Sequence, residues 1–514
     1  MASSGSEVNN YRGYGSLSSF SVILKNVDGK RTFNISSLVT DISIYEDIFA
    51  KTLSGVLTIK DGINLMNGFG GMSKDENKSF PIVGEEFIEI SYGVGDDPAI
   101  FRRFSVYSIS QIEIDSNLTS RSYSIKFCSE EALIDAVTLV QRGFSNQQIS
   151  TMVETIAKDY LKLDQELENG KKKKNLQIQP TRGPQNIVVP RLTPLETMDF
   201  FAKRSIAAEI FTSGTYLFFE NKDGFNFCDI EYLIYQGKKR VEQDKKRYTY
   251  YYNQAQIPVT EANGKHDPTG IFKTLLNMVQ LHKFNTLEKL HRGYFESEAL
   301  IYDFLNASAR SEPYVHKFLD NYTNLNTLGQ SETLTQGSYP ENSIDFMKSV
   351  TTEPKDPPTI LGLFGLLKDK TPPQRHTKLF FIPKDTLQPD TFLEKIYASR
   401  ASYMARFVQN MFRCDVYGDT TIGAGDVIIL NLPEISGVTA SVNDKTGRKT
   451  DRYLSGYFMV TAIHHKLTPE TYMCTYDMFK NGYSEPVVST DNPDIPEPAQ
   501  TSYLNNAKDI GMKK

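Results

Sequence analysis

The sequence predicts a mainly β fold with an α+β middle domain: two similar β-barrel domains, one toward each end of the chain, around a mixed α/β domain. Three observations predict it. Short alternating runs rich in β-branched and aromatic residues, divided by Gly, Asp, Asn or Ser, fill residues 18–130 and return after 271. Between them the apolar period becomes that of helices. The pattern Leu-Thr-x-x-x-Tyr closes both β-rich regions, as Leu118, Thr119 and Tyr123 and again as Leu467, Thr468 and Tyr472.

Residues 1–17 are polar and lack the apolar core of a signal peptide, so they are expected to form a flexible arm on a chain not exported by a cleaved signal. In FSVILKNVDGKRTFNI, Asp28-Gly29 lies between two runs of β-formers, a hairpin signal because glycine accepts the positive φ of a tight turn. LSGVLTIKDG, EEFIEISYG, RRFSVYSISQIEID and SRSYSIKF complete the first barrel, residues 18–130. The mixed domain is read over 131–270. There SNQQISTMVETIAKDYLKL offers Ser145 as helix N-cap with Gln148 behind it, and Ile149, Met152, Val153, Ile156, Ala157 and Tyr160 on one face. Thr193, Pro194 and Glu196 open a second helix with a capping box, and a hairpin turning at Asp223-Gly224 follows. Strands resume in NMVQLHKF and GYFESEALIYDFL. The second barrel is read over 271–312 and 391–485, beginning its later part with a helix in TFLEKIYASRASYMARFVQNM. An insert at 313–390, rich in Pro, Ser and Thr to about 376, divides it, and 486–514 is a proline-punctuated tail.

The two β-rich regions share more than the motif. Ile114 and Ile463 precede the two leucines at one spacing, Ile109 and Phe458 at another, and Gly84 and Gly425 each introduce a strand upstream. A duplication follows. In this register the adjacent His464 and His465 stand near a strand end opposite Asp115 and Ser116 of the first copy, and point to opposite faces. They cannot easily share a metal, and no HExxH helix accompanies them, so strand-end roles are expected. No catalytic, cofactor-binding or metal-ligating residue is assigned.

Other features narrow the function. A net charge of −5 leaves no broad basic field for tight binding to nucleic acid. The basic run Lys171-Lys172-Lys173-Lys174 reads as a solvated loop. Cys128, Cys228, Cys414 and Cys474 form no CxxC pair, which suits a reducing compartment better than a zinc knuckle or a disulfide framework. GFGGMSKDENKS, from Gly68, lacks a Gly-Lys-Ser/Thr ending and a following helix, so it is no phosphate cradle, and there is no GxSxG elbow. Between Pro357-Pro358 and Pro372-Pro373 runs an apolar stretch, Ile360 to Leu367, far short of the roughly 20 residues of a membrane span. Ile360, Leu363, Phe364 and Leu366 are its candidate partner-binding residues, to be buried against a partner or against the middle domain.

LTPLETMDFFAKRSIAAEIFTSGTYLFFENKDGFNF resembles the corresponding element of phage baseplate hub proteins, a pattern similar to that of the spike-hub proteins of type VI secretion. LHRGYFESEALIYDFLNA and GDTTIGAGDVIILNLPE look like the paired segments of the second barrel in T-even-type hubs, while the 313–376 insert and the C-terminal tail depart from that pattern. The resemblance implies tube-type barrels in a homotrimeric ring that joins a hexameric tail tube to a central spike and surrounds the channel for DNA ejection. It implies further contacts with baseplate wedge and tape measure proteins, assembly in the bacterial host cytoplasm and a place in the virion tail. No enzyme activity, cofactor or specific nucleic-acid binding goes with it. The alternative is the hub of a bacterial contractile injection or secretion system. From a different class comes a metal-dependent or cell-wall hydrolase using His464 or His465.

Overall fold

The computed structural model describes residues 16–26, 31–66, 82–95, 99–117, 119–163, 174–208, 214–252, 273–282, 285, 288, 292, 296–303, 308–315, 378–383, 393–405, 410–432, 451 and 454–480. The fold is mainly β with a mixed middle region, as the sequence predicts. The first β-rich region forms β1 (Ser19–Lys25), β2 (Thr32–Asn34), β3 (Val39–Asp47), β4 (Ser54–Asp61), β5 (Phe87–Gly93), β6 (Ile100–Ile114) and β7 (Arg121–Cys128). Alternation sets their faces: β3 buries Val39, Ile42 and Ile44, and β4 buries Leu57 and Ile59. β1 and β2 form the expected antiparallel pair, while the turn residues Asp28 and Gly29 lie outside the described residues. Ser16 and Leu17, at the end of the N-terminal arm, attach to the second β region through a bridge from Ser16 to Thr471 and a hydrogen bond from Leu17 N to Glu470 O.

The middle region contains α1 (Glu130–Val137), β8 (Val140–Gln147), α2 (Ile149–Asp159), β9 (Asn175–Ile178), β10 (Gln185–Leu192), α3 (Pro194–Ala202), β11 (Tyr216–Asn221), β12 (Gly224–Asp229), α4 (Ile230–Gln243) and α5 (Lys245–Tyr248). The predicted cap Ser145 lies inside β8, which pairs with β10, and α2 starts only after Gln148, whose side chain makes no capping bond. The predicted helix face is right, with Ile149, Met152, Val153, Ile156 and Ala157 all buried. α3 begins as read, with Thr193 and Glu196 closing a capping box around Pro194. β11 and β12 form the expected hairpin, but its two turn residues are Lys222 and Asp223, one position earlier than read, and Gly224 opens β12 at φ +124°, where a Cβ would come 2.4 Å from Asn175 O. α4 is a helix for which the sequence reading names no element. Asp229 caps it by accepting from Glu231 N, and Ile230, Leu233, Ile234, Gly237 and Val241 bury one face.

The chain continues through β13 (Thr249–Tyr251), β14 (Leu275–His282), β15 (Glu296–Asp303), β16 (Ser308–Val315), β17 (Lys378–Pro383), α6 (Leu393–Met404), β18 (Met411–Tyr417), β19 (Val427–Asn431), β20 (Gly456–Leu467) and β21 (Tyr472–Phe479). β15 pairs with β16 and β17 in a sheet of its own.

Strand order reveals the duplication. The first region runs β3-β4-β7-β6-β5-β1 and the second β14-β18-β21-β20-β19-β13, position for position. Two β-bulges recur: Val106/Ser108 in β6 matches Val460/Ala462 in β20, and Val39/Asp41 in β3 matches Leu275/Asn277 in β14. One pairing differs, since β1–β5 is antiparallel and β13–β19 parallel. The bulges also correct the register read from the motif. Ile463 corresponds to Ile109 rather than Ile114, and His464 to Ser110 rather than Asp115. Tyr472 corresponds to Arg121 rather than to Tyr123, so the tyrosines of the two motifs do not superpose. β6 carries an extra residue between Ser110 and Glu113, with Gln111 at φ +54°, and its turn into β7 is longer.

Neither sheet closes on itself through pairing among the described residues. β3 pairs instead with β20, so the halves merge into one 13-stranded sheet over a shared apolar core. A second core fills the middle region around Met152, Phe201, Tyr216 and Phe227, and a third packs Ile234 of α4 with Val427 and Met459.

Candidate functional site

Charged and hydrogen-bonding side chains gather at the seam between the halves. Beyond its bulge, β20 leaves β19 and takes β3, pairing Ala462 with Asp47 through to Leu467 with Ile42. One end of this seam buries the Glu46 carboxylate. Its Oε1 accepts from Ala424 N at 2.7 Å and Lys222 N at 3.2 Å. Its Oε2 lies 3.4 Å from both Arg102 Nη2 and His465 Nε2. Arg102 in turn donates from Nη1 to Asn221 O at 3.3 Å, and His465 Nδ1 meets Tyr472 Oη at 2.8 Å. One side chain thus ties the first half, the second half and the β11–β12 turn of the middle region together.

The electrostatics follow from burial and partners. Burial alone would raise the Glu46 pKa, but the His465 hydrogen bond, the charges of Arg102 and His465, and the Ala424 N–H together hold it below the usual carboxylate value. Burial would lower His465, yet Tyr92, Cys474 and the hydrogen bonds to Cys474 and Glu46 hold it well above the usual imidazole value. The arrangement favours a charged, fully engaged pair. Chemically it is a joint: both side chains are sealed from solvent, and their polar atoms are spent on neighbours from three segments.

The adjacent histidines point to opposite faces, as the strand period requires. His465 enters this network, and His464 stacks on Tyr45 with ring centroids 4.6 Å apart. Among the described residues no group of three or more His, Cys, Asp and Glu is placed to hold a metal. The sequence reading missed Glu46 and Arg102, which stand far from His465 along the chain. Their only sequence signal is a charged residue at an inward position of a strand, in ISIYED and in FRRF.

A second joint links the first half to the middle region. Lys174 Nζ lies 2.5 Å from Glu131 Oε2 and 2.6 Å from Glu220 Oε1, and Glu220 Oε2 also accepts from Leu53 N and Ser129 Oγ. The solvated reading of the basic run fails at this residue, because Lys174 is largely buried against Phe225. Lys171, Lys172 and Lys173 lie outside the described residues, as do GFGGMSKDENKS and the candidate partner-binding Ile360, Leu363, Phe364 and Leu366.

No protein family's profile matches the chain, and no curated protein matches it in sequence. Solved structures similar to it are tail and secretion proteins. The 43 kDa tail protein of prophage MuSo2 from Shewanella oneidensis overlaps 90% of this chain and 98% of its own, at 9% identity and a TM-score of 0.46. A tail protein from Neisseria meningitidis MC58 overlaps 90% and 97%, at 9% identity and a TM-score of 0.45. A chain of the Francisella PdpA–VgrG complex overlaps 93% and 60%, at 8% identity and a TM-score of 0.40. No described helix is long and apolar enough to cross a membrane.

Proposed function

We propose that this chain is a structural hub of a phage tail baseplate: a homotrimeric ring that joins a hexameric tail tube to a central spike and surrounds the channel through which DNA leaves. The observation that carries the reading is the six-strand unit present twice in one chain and joined edge to edge through β3 and β20. A subunit with two equivalent units lets a threefold ring present six similar surfaces to a sixfold partner. The sequence resemblance to baseplate hubs supplies the setting, with wedge and tape measure proteins as further neighbours in the virion. The described chemistry supports a scaffold, since Glu46, Arg102 and His465 are consumed in holding segments together. The chain has no catalytic role in this reading. Electron microscopy of the assembled tail tests it. Six similar sheets around one channel, two from each of three chains, is the expected result, and a ring whose symmetry cannot place six such units overturns the proposal.

A further inference from the structure

The duplication leaves one seam unused. In the first seam β20 offers Ala462–Leu467 to β3. The equivalent stretch of the first half, Ser108–Ile114 in β6, is bonded to β7 alone among the described strands, because β5 reaches only as far as Ser105. The equivalent of β3 is β14, the terminal strand of the large sheet, bonded to β18 alone among the described strands. Among the described residues each half therefore carries one unpaired strand edge, and these two edges are the counterparts of the two that are already paired.

The free edges match each other in detail. In the first seam a single residue, His465, separates His464 from Lys466, and a single residue, Ile44, stands opposite between Ser43 and Tyr45. At the same level β6 has two residues, Gln111 and Ile112, between Ser110 and Glu113. β14 also has two, Gln280 and Leu281, between Val279 and His282. An insertion in one strand alone would throw the register off by one and reverse the faces. Insertions at the same level in both strands preserve it. Apolar exposure agrees: Leu467 and Ile42, opposite one another in the first seam, are fully buried, whereas Ile114, the counterpart of Leu467, is 56% exposed. Ile112 at 50% and Val279 at 47% are exposed on the same two edges, an arrangement that invites strand addition.

We infer that β14 of one copy of this chain pairs antiparallel with the Ser108–Ile114 edge of β6 of a second copy, with Ile114 opposite Met278, Glu113 opposite Val279 and Ser110 opposite His282. The contact is head to tail, so it repeats from chain to chain and alternates with the seam inside each chain. The inference rests on the trimeric hub for the number at which the ring closes, and on the strand geometry alone for the pairing.

Paired cysteines test it in the full-length chain, on a Cys128→Ser background that removes the one native thiol not buried. Residues directly opposite in antiparallel strands have Cα atoms about 4.5–5.5 Å apart, within reach of a disulfide. On mild oxidation, Ile114→Cys with Met278→Cys, and separately Ser110→Cys with His282→Cys, are expected to give covalent dimers and trimers on a non-reducing denaturing gel. The crossed pairs, Ile114→Cys with His282→Cys and Ser110→Cys with Met278→Cys, are expected to remain single chains. Native mass measured on the same samples separates the two levels of the argument. A trimeric mass with no preference for the in-register pairs overturns the strand pairing and leaves the hub reading standing. In-register links that continue past three chains keep the pairing and overturn the trimer. A single-chain mass without links overturns the pairing.

Discussion

Replacing Glu46 with Gln keeps the shape of the side chain and removes its charge. The amide oxygen still accepts from Ala424 N and Lys222 N, but an NH2 group now faces Arg102 and His465, both donors. Removing one partner of a buried ion pair costs about 3–5 kcal/mol. The contacts to Arg102 and His465 are long at 3.4 Å, so the lower end, about 3 kcal/mol, is expected. Glu46→Ala also strands the buried Ala424 N–H, at about 1–3 kcal/mol, and the half-buried Lys222 N–H, and is the more damaging change. The chain has no Trp, so urea unfolding is followed by circular dichroism or by its tyrosines. The pH dependence carries a sign. Glu46 is depressed, so its contribution is complete above its unfolded value near 4.5 and fades as pH falls through the folded one. His465 is raised, so its contribution is complete below 6.5 and fades as pH rises through the folded value. The deficit of Glu46→Gln is therefore largest between about pH 4.5 and 6.5 and smaller on both sides. Equal stability of wild type and Glu46→Gln in that window, or an Ala variant milder than Gln, would refute the account of the joint.

Three further outcomes are expected. Gly55→Ala places a Cβ 2.4 Å from both the Phe127 ring and Ser43 O, and crowding of this kind costs about 1–3 kcal/mol, read as a lowered urea midpoint. Lys174→Met leaves Glu131 and Glu220 without their shared cation and is expected to cost about 3–5 kcal/mol, whereas exchanging the exposed Lys158 for Met changes stability by less than about 1 kcal/mol. His464→Asn and His465→Asn are expected to differ: the first loses only a stack on Tyr45, the second disrupts the buried joint, and bound zinc measured on the purified wild type is expected to be far below one equivalent.

Local physics was legible in the sequence where the determinant is itself local. The capping box at Thr193 and Glu196, the hairpin beside Gly224 and the opposed faces of His464 and His465 each depend on a few neighbouring residues. Ser145 misled because its spacing to Gln148 imitates a capping box, while pairing of β8 with β10, a partner 40 residues away in the Asn146 to Asn186 contact, claimed the residue for a strand. The repeat was visible, but its register was not. Leu-Thr-x-x-x-Tyr marks two turns of different length, and the true alignment is set by bulges that appear only in the hydrogen bonding. Glu46 and Arg102 gave no motif because their meaning comes from His465, Ala424 and Asn221, which the fold brings to them.

The two seams of the proposed ring must not be exchanged, and their differences bear on that problem. Were β3 of one chain to take the β6 edge of another, its single residue between Ser43 and Tyr45 would face two, Gln111 and Ile112, and every side chain beyond would change face. Glu46 would also lose His465 and the Ala424 N–H, since Ser110, Gln111 and Ile112 supply no cation at the corresponding level. Were β14 to take β20, its extra residue would meet a strand that has none. Insertions at one seam and a buried charge cluster at the other thus make each edge accept one partner. Two halves with the same strand order could otherwise pair indiscriminately, and the asymmetry between the copies is what fixes which edge stays inside the chain and which is left for a neighbour.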